Sequence, residues 1–533
     1  MKLSFWGADR QVTGSCHLIE VNGKQCLIDC GMQQGGDEIG GNALPFDAKE
    51  IDYVIVTHAH IDHSGRLPLL VKNGFSGRIF ATGATCDLLG IMLRDSAKIQ
   101  EFEAEWKKRK GKRAGDGKDE PIYDMEDAEN TLALFVPCRY GEIIQIGEGI
   151  KAEFRDAGHL LGSASVRVTL AEDGETRTVV FSGDIGNKDQ PIIRNPQYFH
   201  AAADVVLTES TYGDRLHTEV LFDKEKLAGL FDAVFKKGGN VVIPSFAVGR
   251  TQELLYSIRE IKEDGLVKSL PDFPVYVDSP LALEATSIYD KDLTGYADEE
   301  TLAVLKSGFR PMHFPNLNLS RTTEESIALN RDGAPKVIIS ASGMCEAGRI
   351  RHHLKHNLWR SECALVFVGY QANGTLGRML LDGIRQVKLF GETIAVKCSV
   401  HNFSGLSAHA DKDGLLEWIG AFREKPGKVL VVHGEEETCI AYTEQLKGIG
   451  YDALAPQYEA VFDVLAGEMI SEGVSSKKLL ERRAMRKASP AYLRLEQTGD
   501  QLLDLIHRKK GLANRELARF ADQLAALIKN WEA

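Results

Sequence analysis

Within Thr57-His58-Ala59-His60-Ile61-Asp62-His63-Ser64-Gly65, three imidazoles and a carboxylate fall inside six residues. Imidazole and carboxylate are the groups that hold zinc-like cations. Ordinary packing has no use for four such groups so close together. If alternate residues face alternate sides, one loop can feed two cations. His58 and His60 then point one way, while Asp62 and His63 serve a second ion. The loop leaves the apolar run Tyr53-Val54-Ile55-Val56, which reads as a buried strand.

Four other stretches share this grammar of an apolar strand ending in a small-residue turn that carries one reactive group. They are Asp156-Ala157-Gly158-His159, Ser182-Gly183-Asp184, Thr208-Glu209-Ser210 and Val432-His433-Gly434. Strands that each deliver one group at their C-terminal ends can gather distant residues into one site. Counting ligands gives His58, His60 and His159 for one ion, and Asp62, His63 and His433 for a second, with Asp184 bridging both. Such a pair would make hydroxide from a shared water near neutral pH and clamp the oxygens of a phosphodiester. A structural zinc is closed and usually Cys-rich. This set has no Cys, so catalysis is expected. Asp29 ends the strand of residues 24–30, where it would either orient a metal-bound histidine from behind or simply form a turn.

The spacing His-x-His-x-Asp-His resembles the signature of metallo-β-lactamase-fold hydrolases, which by itself does not choose among lactams, thioesters, phosphodiesters and nucleic acids. The ordered series Asp29, His58 to His63, His159, Asp184, Glu209, His409, His433 is similar to the β-CASP branch, which processes nucleic acids. Thr208-Glu209-Ser210-Thr211-Tyr212-Gly213 looks like its motif A. Phe403-Ser404-Gly405-Leu406-Ser407-Ala408-His409-Ala410-Asp411 looks like motif B, and Val432-His433-Gly434-Glu435 like motif C. The match covers roughly residues 1 to 455. The resemblance implies two Zn2+ per chain, and a histidine at motif C implies RNA rather than DNA. It also implies that His409, paired with Glu209, protonates the leaving oxygen, so Asp184, Glu209 and His409 are the expected catalytic residues.

Phosphates need donors. Ser245 to Arg250 and Ser342-Gly343-Met344 follow strands and open helices, so their amides are candidates for a phosphate oxygen. Arg250 and Arg378 could add charge-assisted bonds. The family uses these loops for the RNA backbone. Few aromatics flank them in sequence, so little base stacking is expected.

The expected fold class is α/β: an αββα metallo-β-lactamase sandwich, an inserted parallel α/β (β-CASP) domain and a helical C-terminal extension. At 533 residues the chain exceeds one core. The expected boundaries are 1–208 and 387–457 for the two parts of the sandwich, 209–386 for the insert and 458–533 for the extension. A helix from about Ala84 to Lys110 is expected to run into an exposed basic loop over residues 107–118. The extension opens with the basic stretch 476–487; packing onto the parent domain, a homodimer contact and an RNA-facing arm are the options for it.

Net charge of −12 weighs against nonspecific nucleic-acid binding, although bound cations would add positive charge locally. Nine scattered cysteines without a C-x-x-C pair fit reduced thiols and a cytoplasmic location; Cys26 and Cys30 read as small core residues. No apolar run is long enough for a membrane, and the N-terminus has no apolar signal core. The expected activity is zinc-dependent, endonucleolytic hydrolysis of single-stranded RNA, with 5′-exonuclease action left open. The competing readings are a thioesterase- or lactamase-like small-molecule hydrolase and a non-catalytic RNA-binding scaffold.

Overall fold

The computed structural model describes residues 1–34, 37, 42–114, 120–217, 223–291, 293–369, 371, 374–403 and 407–475, and beyond these 477–479, 481–482, 494–495, 498–499, 502–503, 505–506, 508–510 and 513–531. Ser404, Gly405 and Leu406 of motif B, residues 115–118 of the basic stretch and residues 483–487 of the extension therefore lie outside the described residues.

The strands before the insert are β1 (Lys2–Phe5), β2 (His17–Val21), β3 (Lys24–Ile28), β4 (Tyr53–Ile55), β5 (Arg78–Thr82), β6 (Phe135–Cys138), β7 (Ile143–Gly147), β8 (Ile150–Asp156), β9 (Ala164–Glu172), β10 (Glu175–Phe181) and β11 (Val205–Thr208). The insert supplies β12 (Val241–Pro244), β13 (Val275–Val277), β14 (Leu317–Leu319), β15 (Val337–Ser340), β16 (Ala364–Phe367), β17 (Gln386–Leu389), β18 (Glu392–Ala395) and β19 (Ser399–Asn402). The chain then returns with β20 (Lys428–Val431), β21 (Ala453–Leu454), β22 (Val461–Asp463) and β23 (Glu468–Ser471).

Two sheets make the sandwich. One runs β23-β22-β1-β2-β3-β4-β5-β6, the other β21-β20-β11-β10-β9-β8-β7. Their facing residues alternate with outward ones and fill a dry core that includes Phe5, Ile19 and Ile55 on one side and Phe154, Val179 and Leu430 on the other. The β2–β3 hairpin turns at Asn22-Gly23, both at positive φ, as a two-residue primed turn requires. Strands β10, β11 and β20 are parallel neighbours, so their C-terminal ends lie along one edge. The helix Gly83–Ala114 packs on the first sheet's side, and Lys412–Gly420 and Glu436–Gly448 supply Leu415, Trp418, Tyr442 and Leu446 to the cluster behind the second.

The insert is a six-stranded sheet, β14-β13-β15-β12-β16-β19, parallel throughout, with β17 and β18 as a separate hairpin. Three sequence expectations change here. The insert's sheet reaches Asn402 rather than stopping at 386, because β19 pairs with β16. Ser399-Val400-His401-Asn402 carries one apolar residue, so as an edge strand it gives almost no hydrophobic signal. Residues 461–471 are strands of the sandwich, not part of a helical extension, because β22 pairs antiparallel with β1. Its three residues are too short to read alone, and its partner lies at the other end of the chain. The backbone of residues 107–114 continues the helix Gly83–Ala114 instead of forming a loop. Lys and Arg are good helix formers, and a lone Gly111 costs only about 1 kcal/mol.

Ser475–Ala533 is a separate unit, and its longest described helix is Asn514–Trp531. Among the described residues no helix is long and apolar enough to cross a membrane.

Candidate active site

The edge where the parallel strands end carries the reactive groups. β4 runs out into Thr57 and His58, and the short helix Ile61–Ser64 holds Asp62 in its first turn and His63 in its last. Gly31 lets this loop close: a Cβ there would lie 1.6 Å from the Asp62 carbonyl oxygen. Gly186 does the same for the turns carrying Asp184 and His159, since its Cβ would fall 1.7 Å from the Gly158 carbonyl oxygen. His433 follows β20 at φ +51°, with its N–H on the Ala8 carbonyl and its carbonyl accepting from Ser210 N–H.

His58, His60, His159 and Asp184 come together as one group of potential ligands, and Asp62, His63 and His433 as a second. His60 Nδ1 lies 3.1 Å from His58 Nε2 and 3.2 Å from His159 Nε2. Asp184 stands between the groups. Its Oδ2 is 3.4 Å from His58 Nε2 and 3.5 Å from His159 Nε2; its Oδ1 is 3.2 Å from His63 Nε2 and 3.5 Å from His433 Nε2. Asp62 Oδ2 is 3.7 Å from His433 Nε2.

The outward nitrogens of these rings are held from behind, which fixes which nitrogen faces inward. His63 Nδ1 lies 2.8 Å from Asp29 Oδ2. Asp29 also accepts from Thr57 N–H at 2.7 Å and from the Thr57 hydroxyl at 2.8 Å. That hydroxyl oxygen is 3.1 Å from His58 Nδ1. His433 Nδ1 lies 3.0 Å from Thr211 Oγ1, and His159 Nδ1 lies 3.3 Å from the Ala408 carbonyl. The sequence alone assigns Thr57 and Thr211 no role. Their one signal is position, Thr57 beside the first ligand and Thr211 inside motif A.

Electrostatics sort the rings. Burial takes His58 below its ordinary value, with help from His63, and takes His60 down to about 3, with help from His58. His159 is lowered by burial and by His409. These three rings are neutral at pH 7, the state in which an imidazole can bind a metal. Burial opposes the charge on His63, yet Asp184 and Asp29 outweigh it and raise that ring; Asp184 and Asp62 do the same for His433. Burial also opposes the charge of Asp184, but the surrounding rings hold it well below the usual carboxylate range. The cluster thus keeps an anionic centre that collects positive charge. Asp184 Oδ1 and His433 Nε2 are buried and make no hydrogen bond with the described residues. Unpaired buried polar atoms are costly. A divalent cation bound by nitrogen and carboxylate oxygen satisfies both, so the donor set fits metal ions.

Glu209 and His409 flank this centre. Glu209 is fully buried, accepts from Ile185 N–H at 2.6 Å and Thr211 N–H at 3.2 Å, and meets His409 Nδ1 at 3.1 Å. His409 is placed by backbone pairing: Ala410 N–H donates to Ile185 and Asn187 N–H to Ala408, which bracket Gly186. Its ring is 4.5 Å from that of His159. Burial alone would lower His409, but Glu209 first, then Asp184, take it up to about 9.

The candidate phosphate loops lie at the ends of neighbouring insert strands β12 and β15. Ser245 N–H already donates to the Ser340 carbonyl, and Ser342 closes its own loop through Ala347. Gly343 and Met344 offer carbonyls to Gln371 and Gly377. The arginines depart from expectation. Arg250 is buried with its guanidinium on Glu253, and Arg378 is ion-paired to Asp382 at 2.7 Å. Each is held by a carboxylate of the same helix or its cap, so phosphate contact from either would first have to break an ion pair. Phe246, to which the sequence alone gives no role, is 38% exposed with its ring 6.5 Å from that of His60.

The chain matches three domain families. Residues 9–245 match the metallo-beta-lactamase superfamily, residues 251–380 the Beta-Casp domain, and residues 393–456 the Zn-dependent metallo-hydrolase RNA specificity domain. Ribonuclease TTHA0252 of Thermus thermophilus is 40% identical over 442 residues, 83% of this chain and 95% of that protein. Transcription termination factor FttA of Methanocaldococcus jannaschii is 30% identical over 84% of this chain and 69% of its own length. FttA of Methanosarcina mazei is 31% identical over 83% and 68%. The domain series follows the order in which the sandwich, the insert and the returning strands appear, and the chain belongs to the β-CASP family of metallo-β-lactamase-fold, metal-dependent hydrolases.

Proposed function

We propose that this protein is a zinc-dependent ribonuclease that cuts single-stranded RNA internally by water attack, leaving 3′-hydroxyl and 5′-phosphate ends. The observation that carries this reading is the juxtaposition of a two-part ligand cluster sharing Asp184 with a His409–Glu209 pair aimed at the same centre. His58, His60 and His159 would hold one zinc ion, Asp62, His63 and His433 the other, and Asp184 both. Two such ions supply a nucleophilic water near neutral pH and a clamp for phosphoryl oxygens.

The protein's own groups account for the remaining work. His409 binds Glu209 through Nδ1, so the proton on Nε2 is the one to hand to the leaving 3′-oxygen. Glu209 keeps that ring protonated and oriented, and its own position is fixed by two backbone N–H groups. The strand-end loops around Ser245 and Ser342 to Met344 are where an RNA backbone would lie. The ribonuclease from Thermus supports an RNA substrate, as does the match to an RNA specificity domain. A reduced cytoplasmic setting suits nine free cysteines.

The test is cleavage of an end-labelled single-stranded RNA by the purified chain, with and without chelator, beside Asp184→Asn. Internal fragments that vanish in both controls are expected. An Asp184→Asn protein cutting at the wild-type rate would refute the reading, and so would turnover of a thioester or lactam with RNA left intact.

A further inference from the structure

The ring of Phe246 is the feature of the cleft that the ligand cluster and the acid–base pair leave unused. It follows β12, the central strand of the insert, and it is more than a third exposed although its neighbours Ser245, Ala247 and Val248 are buried. An apolar ring left open beside metal-ligating His60 gains nothing from water. Its placement is also built rather than incidental. The Phe246 carbonyl accepts from the Thr251 hydroxyl at 2.7 Å and from Thr251 N–H at 3.3 Å, which fixes its backbone. The ring lies against two glycines at the ends of the neighbouring strands. A Cβ on Gly343 would meet Cδ2 and Cε2 of the ring at 3.0 Å, and one on Gly369 would meet Cε2 at 3.7 Å. Gln371 Nε2 donates to the carbonyls of both glycines, at 3.0 and 3.3 Å, and so ties this floor together. The floor of bare backbone leaves the ring room that a side chain would take.

Phenylalanine has no polar handle, so what it offers a ligand is a π face. Phosphates and riboses do not use one; nucleobases do, whatever their identity. We propose that Phe246 is a substrate-binding residue that stacks a nucleobase flanking the scissile phosphate and thereby sets where along the strand that phosphate lies. The distance between the Phe246 and His60 rings is comparable with that between a base and its own phosphate. This inference rests on the ribonuclease reading and adds a substrate contact to it. It makes the enzyme attentive to the presence of a base next to the cut and indifferent to which base it is.

The experiment is a cycle of two perturbations. Wild type, Phe246→Ala and Phe246→Trp are assayed on an oligoribonucleotide with one mapped cut, and on a series in which each nucleotide beside the cut is made abasic in turn. On intact RNA, Phe246→Ala should lower kcat/KM about ten- to a hundredfold, mainly through KM, while Phe246→Trp restores it. One abasic position should cost the wild type a similar factor and cost Phe246→Ala almost nothing more. Zinc content equal to wild type shows that the variant's centre is intact. Cleavage in which Phe246→Ala and every abasic position act independently, or in which Phe246→Ala matches wild type, overturns the stacking assignment alone. Wild-type protein that leaves the RNA uncut overturns the ribonuclease reading and the stacking with it.

Discussion

Asp29 sits behind the ligands, and changing it to Asn should separate metal affinity from folding. Asp29 Oδ2 accepts from His63 Nδ1–H at 2.8 Å, so when a cation displaces the ring's other proton, the lone pair is offered by Nε2, on the side of Asp184 Oδ1 at 3.2 Å. In Asp29→Asn an amide N–H donor replaces that oxygen, and two donors would face each other. The ring resolves this by holding its proton on Nε2, so that Nδ1 accepts from Asn and Nε2–H donates to Asp184. Without cations that arrangement is fully hydrogen-bonded. Asn also tolerates the positive φ of 61° at this position. The variant should therefore fold with nearly wild-type stability. Its His63, however, presents a proton where a cation needs a lone pair. Removing such an outer partner costs about ten- to a hundredfold in affinity, or roughly 1.4–2.7 kcal/mol. The loss should fall on the ion held by Asp62, His63 and His433. His58 reaches Asp29 only through the Thr57 hydroxyl, so its ion should be weakened less. Competition against a fluorescent zinc chelator resolves two binding steps. Wild-type affinity at both steps, or equal weakening of both, would rule out Asp29 as the group that sets the His63 tautomer.

Other perturbations have similarly definite outcomes. Glu209→Gln removes the foremost cause holding the His409 ring proton up to about pH 9, so in cation-free protein the NMR titration of that ring should fall by about one to three pH units. In the proposed mechanism His409 donates a proton, so the alkaline limb of kcat should move to lower pH with it; an unmoved titration would exclude Glu209 as the controlling partner. His17 is buried beside Phe5 and Phe181, and burial takes it down to about 4 from its ordinary 6.5. The unfolded chain binds this proton first, so cation-free stability should drop by about 3 kcal/mol as pH falls from 6.5 to 4. The difference in urea midpoint between wild type and His17→Gln should close over that window, and parallel profiles would contradict it.

The groups at the centre were legible because each ligand follows an apolar run that ends at a small-residue turn, and because imidazoles at the spacing of residues 58–63 have no packing use. Asp29 was readable from its strand end, and Glu209 and His409 from motif resemblance. Thr57 and Thr211 were not, since a threonine that orients an imidazole is indistinguishable in sequence from one that packs. Arg250 reads as a phosphate-binding cation after a strand; Glu253, one turn along its helix, takes it instead. Phe246 lies inside a stretch read for its backbone amides, because sequence distance hides that β12 ends opposite His60. The strands β19 and β22 stayed hidden for a related reason: short strands get their identity from partners far away in the chain.

In the proposed centre one carboxylate, Asp184, joins two cation sites built from loops far apart in sequence. Elemental analysis of the purified chain, run beside the same preparation of Asp184→Asn and paired with RNA cleavage before and after zinc is removed and restored, decides whether it does. Two zinc ions per wild-type chain, fewer in the variant, and cleavage that disappears and returns with the metal are the predicted result. A chain that cuts RNA when stripped of metal, or an Asp184→Asn protein that keeps both ions, would contradict it.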